Sequence, residues 1–273
     1  MKLKRLIISA SFTVVLLAGF LLFYFQSKLV FHPTKLAQNY EYHFSEPFQQ
    51  EWVDFEGAKL QAVYFPAPKS KITILYLHGN AGSMATWGNT AAELRDVFHL
   101  NVWMLDFPGF GKSGGSLTTQ EQFLAVTDAY YAFAHKSYPE QKFIFWGRSI
   151  GTGVAAYLST KVAPLGLVLE SPYQNFSRIA SEAAPWFPTF MRAFDLPTDV
   201  WLKTASFPVL IVHGKKDTVI SYDHTAALHK MYPQFTILTL DEAGHGDLRE
   251  FDEYWAGLKK FLAKISSANN AVR

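Results

Sequence analysis

Short apolar runs alternate along the chain with longer stretches in which apolar residues recur every three or four positions. The short runs are Leu60–Phe65, Ile72–Leu77, Val102–Leu105, Phe143–Trp146, Leu167–Leu169, Val209–Val212 and Thr236–Leu240. They predict strands, and the central ones are so uniformly apolar that they read as parallel strands covered on both faces. Between them, amphipathic spacing predicts helices over Thr86–Arg95, Thr119–His135, Gly153–Thr160, Tyr222–Met231 and Glu250–Ile265. Alternation of this kind implies an α/β fold with a mostly parallel central sheet and helices on both faces.

Two segments break the rhythm. Leu6 to Phe25 reads LIISASFTVVLLAGFLLFYF, twenty residues without a charge. At about 1.5 Å per residue, a helix of that length spans roughly 30 Å, the hydrocarbon thickness of a bilayer. Lys2, Lys4 and Arg5 precede it, which predicts a cytoplasmic N-terminus and a domain on the extracytoplasmic side. A cleaved signal peptide is the competing reading, but its apolar core runs to only about 7–15 residues and ends at a small-x-small site. The implied organisation is an N-terminus and single signal anchor over 1–27, a neck over 28–50, a main domain over 51–265 and a tail over 266–273. The second break, at about 171–206, holds Pro172, Pro185, Pro188 and Pro197 with Trp186, Phe187, Phe190 and Phe194 among them. It reads as a small helical cap over the sheet's carboxyl edge. Its aromatics either pack the cap onto the domain or, with Trp186, Phe187 and Phe190, wall an apolar substrate pocket.

Composition narrows the chemistry. Of 273 residues, 49% are hydrophobic, enough to bury a sizeable core, and 25 basic against 23 acidic residues leave +2, too little to argue for nucleic acid. There is no cysteine, which excludes disulfides, thiol catalysis and cysteine-ligated metals. The stretch DFPGFGKSGG at 106–115 imitates a phosphate-binding loop. That loop needs glycine five places before its Gly-Lys-Ser, whereas Asp106 stands there, and Gly114 and Gly115 follow where a helix should start. A nucleotide partner is therefore not expected.

The strongest local signal is Gly147-Arg148-Ser149-Ile150-Gly151, entered from a strand and left by a helix. A strand-to-helix turn that sharp leaves no room for side chains at 147 and 151, and it lifts the serine hydroxyl clear of the backbone. The helix N-terminus behind it offers N–H groups where an oxyanion would form. Serine needs a base, and the base needs an orienting group. Among nine histidines, His245 lies in a glycine-flanked loop just after a strand, as a base should. His78 and His213 sit in His-Gly pairs at strand ends and read as structural, while His224 and His229 fall on a helix and read as surface residues. Asp217, a short turn after Val209–Val212, is the candidate acid; Asp241 and Asp247 share the histidine's own loop.

The order Ser149, Asp217, His245 resembles the α/β-hydrolase superfamily, and within it small membrane-anchored serine hydrolases with a short cap. The resemblance rests on Leu77–Gly82, Asp106–Ser113, the turn at Ser149, the Asp217 turn and the His245 loop, and covers about Leu29 to Leu262. It implies an oxyanion hole from the main-chain N–H groups of Asn80 and Ile150, with Ala81 competing for the first. It also implies an acyl-serine route for an ester or thioester substrate, such as a lipid ester or a lipid-modified protein, and no metal or organic cofactor. A peptidase of the same fold, or a tethered binding protein on a hydrolase scaffold, are the alternatives. Asn175-Phe176-Ser177 is also a glycosylation sequon.

Overall fold

A computed structural model describes residues 17–21 and 24–271, with side chains to 267. The apolar run Leu6–Phe25 therefore lies largely outside the described residues. Among the described residues no helix is long and apolar enough to cross a membrane. Residues 17–21 and 24–30 are helical (α1).

The strands are β1 (His32–Pro33), β2 (Gln49–Phe55), β3 (Ala58–Phe65), β4 (Ile72–Leu77), β5 (Ala81–Gly82), β6 (Asn101–Leu105), β7 (Lys142–Arg148), β8 (Gly166–Glu170), β9 (Val209–Gly214) and β10 (Thr236–Leu240). The remaining helices are α2 (Met84–Phe98), α3 (Gln120–Ser137), α4 (Gly151–Lys161), α5 (Phe176–Ala183), α6 (Thr198–Trp201), α7 (Asp223–Met231) and α8 (Asp252–Ala271). Eight strands form one sheet in the order β10-β9-β8-β7-β4-β6-β3-β2. From β10 to β6 every pairing is parallel, while β3 runs antiparallel to β6 and to β2.

Period-two side chains divide the sheet's apolar content between two layers. Leu75, Trp103, Phe145, Leu167 and Ile211 face α3 and α4 in one cluster. Their strand neighbours Ile74, Met104, Trp146, Val168 and Leu210 join α2 and α8 in the other. Both faces are thus covered, which is why the central strands carry almost no polar residue.

Three boundaries differ from the sequence expectation. β2 is not among the expected strands, since QQEWVDF is half-exposed at the sheet edge and has one buried residue, Val53. Residues 28–50 are not a separate neck: Phe31 and Tyr42 are buried in the two clusters, and β1 pairs with β5. The C-terminal stretch 266–271, read as a tail, continues α8. Between β8 and β9, within the segment 171–206, lie α5 and α6.

Candidate active site

At the carboxyl end of β7 the chain turns through Ser149 into α4. Ser149 has φ +53°, a left-handed conformation that costs a non-glycine residue on the order of 1–3 kcal/mol. The turn is enforced by contact. A Cβ on Gly147 would meet Gly151 O at 2.5 Å, and one on Gly151 would meet Leu77 O at 2.1 Å. The Ser149 N–H donates to Glu170 O at 2.9 Å, which ties the turn to β8.

The structure brings the two other expected residues to this hydroxyl. His245 Nε2 lies 3.2 Å from Ser149 Oγ, and His245 Nδ1 lies 2.7 Å from Asp217 Oδ2. Asp241 instead pairs with Lys215 at 2.8 Å, and Asp247 accepts from the Gly244 N–H at 2.7 Å. Asp217 has a buried side chain. Burial alone would push its carboxyl up. Hydrogen bonds from His213 and His245 and from the Ile220 N–H outweigh that and hold it well below the usual carboxylate range.

His213 is a partner that sequence reading assigned only a structural role. Its Nε2 lies 3.2 Å from Asp217 Oδ2 and 2.9 Å from Ile220 O, with Nδ1 2.7 Å from Thr225 Oγ1. A ring that donates from Nε2 and accepts from the Thr225 hydroxyl satisfies all three contacts. Its signal was the spacing from His213 to Asp217 across one tight turn. His224, read as a surface residue, is buried, and its Nδ1 accepts from the Gln174 N–H at 3.1 Å. That correction has a simple cause: the cap covers the face of α7 that would otherwise meet water. His229 is exposed.

Asn80 follows β4 in a loop that is held from several sides. His78 is buried, its Nδ1 2.7 Å from Gly79 O, and burial lowers its pKa to about 4, so it is neutral. The Asn80 side chain donates to Val30 O at 2.9 Å, and the His32 N–H donates to Asn80 O at 2.8 Å. Among the described residues neither the Asn80 nor the Ile150 main-chain N–H has an intramolecular acceptor. Both residues line the cavity beside Ser149.

Behind this loop lies the stretch that imitates a phosphate loop. Asp106 is fully buried and accepts from the Met84 N–H at 2.9 Å, and burial pushes its carboxyl up to about 7. Gly111 is small for this carboxyl's sake, because a Cβ there would sit 1.9 Å from Asp106 Oδ2. The Lys112 ammonium lies 4.7 Å from the centre of the Tyr42 ring, and the Ser113 hydroxyl donates to Asp106 O at 2.7 Å. The lysine and serine of the imitation are thus engaged within the fold.

A cavity of about 310 Å³ opens on Ser149. Its walls are mostly apolar, with Ile179 and Phe187 from the cap, Val219 and Ile220 from the Asp217 turn, and Leu29 and Val30 from α1. The expected aromatic wall needs correcting. Phe187 lines the cavity, but Trp186 and Phe190 do not, being 59% and 86% exposed. Proline at 185 and 188 ends the helical period, so these neighbours of Phe187 point elsewhere. The wall that sequence reading missed is α5, where Phe176, Ile179, Ala180 and Ala183 follow i, i+3, i+4, i+7 spacing. Asn175 of the sequon caps this helix, accepting from the Arg178 N–H at 2.8 Å and donating to Asp199 at 3.2 Å. Among the described residues no cluster of three or more His, Cys, Asp or Glu is arranged for a metal.

Sheet order and the elbow are those of the α/β-hydrolase fold, and Ser149, His245 and Asp217 lie within hydrogen-bonding reach of one another there. A family profile described as the α/β-hydrolase fold matches residues 72–207 of this chain. Among curated proteins it is 27% identical over 202 residues to mouse alpha/beta hydrolase domain-containing protein 17C, covering 72% of this chain and 61% of that protein. Human protein 17B is 28% identical over 203 residues, with 72% and 68% covered. The alignment thus spans about three fifths of the length of the first of these relatives. An esterase of Pyrococcus furiosus superposes with a TM-score of 0.69 at 18% identity, covering 87% of this chain and 98% of its own, a likeness of fold.

Proposed function

We propose that this hydrolase is a membrane-anchored serine enzyme that cleaves carboxylic ester or thioester bonds of acyl substrates through an acyl-serine intermediate. One observation carries the reading. The Ser149 hydroxyl, 3.2 Å from His245 Nε2, opens directly onto an apolar cavity. Ser149 Oγ attacks the acyl carbon while His245 Nε2 takes its proton. Asp217 holds the ring with Nδ1–H toward it and stabilises the imidazolium. The Asn80 and Ile150 N–H groups receive the oxyanion, each such donor contributing about 2.7–4 kcal/mol. Collapse of the tetrahedral intermediate passes the proton from His245 to the departing alcohol or thiol. The acyl group stays on Ser149 with its chain in the cavity, and water then repeats the cycle with the roles reversed. No metal or organic cofactor enters this scheme.

The uncharged run Leu6–Phe25 behind Lys2, Lys4 and Arg5 supports a single anchor with the catalytic domain on the extracytoplasmic side. Anchor and apolar cavity together favour a lipid ester or a lipid-modified protein as substrate. The test is labelling of the full chain by a fluorophosphonate probe, followed by hydrolysis of esters and thioesters of graded chain length. Labelling that persisted in Ser149→Ala would overturn the assignment.

A further inference from the structure

Trp186 and Phe190, turned away from the cavity, belong to an uncharged cap segment, Ala183 to Met191, bounded by Glu182 and Arg192. Arg192, at its far end, is turned inward, donating to Ser177 O, Ser181 Oγ and Phe187 O at 2.6, 2.8 and 3.1 Å, and Arg178 is held by Glu182 at 2.9 Å. Beside this segment runs α1, on which Leu17, Phe20, Phe25 and Leu29 are all 45% exposed or more. So many large apolar side chains exposed on two touching elements are unusual for a protein surrounded by water on every side.

The two elements touch. A Cβ built on Gly19 would lie 3.8 Å from Met191 Cε. The Gln26 side chain donates to Met191 O at 2.9 Å and accepts from the Ala193 N–H at 2.6 Å. These contacts fix a level. In an anchor over Leu6–Phe25, Gly19 lies about 9 Å inside the outer end, at 1.5 Å of rise per residue. A cap residue that packs on Gly19 is carried to the same depth, below Phe25. Leu29, further along the same helix, lines the cavity and is also 59% exposed.

We propose that Trp186 and Phe190 form a tip that inserts into the lipid bilayer, setting the cavity mouth against it so that an acyl chain passes from lipid to Ser149 without crossing water. The inference rests on the anchored acyl-hydrolase reading. Phe187 faces the cavity and its neighbour Trp186 faces lipid, so one short cap segment serves both. Tryptophan suits that border, having an apolar body and a polar N–H.

The experiment uses the full chain in phosphatidylcholine vesicles with brominated acyl chains. The emission lost between wild type and Trp186→Phe isolates Trp186. This difference signal is expected to be quenched by at least half. An unquenched signal overturns the proposal, including one that arises because Trp186 is buried against a second copy of the chain. In the second arm, Trp186→Ser/Phe190→Ser is expected to lose at least tenfold in hydrolysis of a long-chain ester held in the vesicle. Hydrolysis of a water-soluble butyrate ester should stay within twofold. A vesicle-to-soluble ratio that does not move, whether both rates hold or both fall, overturns the role in substrate entry. Failure of the underlying reading looks different: wild type would then leave the soluble ester intact, or would be released from vesicles by alkaline carbonate.

Discussion

His213 and His245 share one oxygen of Asp217, with Nε2 of the first 3.2 Å and Nδ1 of the second 2.7 Å from Oδ2. The carboxylate is therefore fixed on both sides, and the Val219 and Ile220 N–H groups hold its other oxygen at 2.9 and 2.8 Å. Removing His213 should weaken the orientation of His245 without abolishing it. A hydrogen bond to a charged group is worth about 1.5–3 kcal/mol, so His213→Ala should lower kcat roughly ten- to hundredfold. Asp217→Asn, which misdirects the tautomer, should cost on the order of ten-thousandfold by analogy with protease triads. Because the Asp217 carboxyl lies below its ordinary range, the loss of His213 should raise it. That rise should appear directly in the Asp217 carboxyl titration followed by NMR, and an unmoved titration would count against the shared oxygen.

The backbone at Ser149 separates activity from stability. With φ at +53°, Ser149→Gly relieves left-handed strain and should raise stability by about 1 kcal/mol in denaturant titration. Ser149→Ala keeps the strain and should leave stability near wild type. Both should lose activity on the order of a million-fold, going by subtilisin. A destabilised glycine variant would contradict the strain.

Cavity size should be read out as chain-length preference. Each methylene buried contributes about 0.8 kcal/mol, roughly a fourfold step in kcat/KM. The rise should continue along a series of acyl esters until the cavity is full, then level off. Ala180→Phe, on the α5 wall, should bring the plateau to shorter chains, and Phe187→Ala should extend it. A series that ignored both changes would place the acyl chain elsewhere.

Asp106 predicts a pH signature in stability. Its folded pKa, about 7, lies above its ordinary 3.8 because burial disfavours the charge. The stability linked to its proton is complete below about pH 4 and is lost as the pH rises through 7. Over that window the loss is on the order of 4 kcal/mol. Asp106→Asn keeps an oxygen for the Met84 N–H but cannot ionise, so its stability should fall less than that of wild type between pH 4 and 7. Parallel curves from chemical denaturation would show that Asp106 is charged in the fold.

Local chemistry makes much of the fold and the site legible in the chain. The strand runs are visible because both faces of a central parallel strand are buried. Gly147, Ser149 and Gly151 are legible because close approach at a sharp turn tolerates few residue types. The edge strand Gln49–Phe55 is hidden because an exposed, half-polar strand has no distinctive composition. Trp186, Phe187 and Phe190 are alike in the sequence, and nothing in their order tells which one turns inward.

By itself, the sequence determined the α/β alternation, the elbow at Ser149 and the chain order of Ser149, Asp217 and His245. Each of these follows from a short-range rule of period, sterics or motif. Only the tertiary structure decided that His213 shares the Asp217 carboxylate, that α1 and the Asn80 loop are bonded together, and that Phe187 faces the cavity while Trp186 faces outward. Those are contacts between segments far apart in sequence. Their geometry is set by how the cap and the sheet pack, which no local pattern encodes.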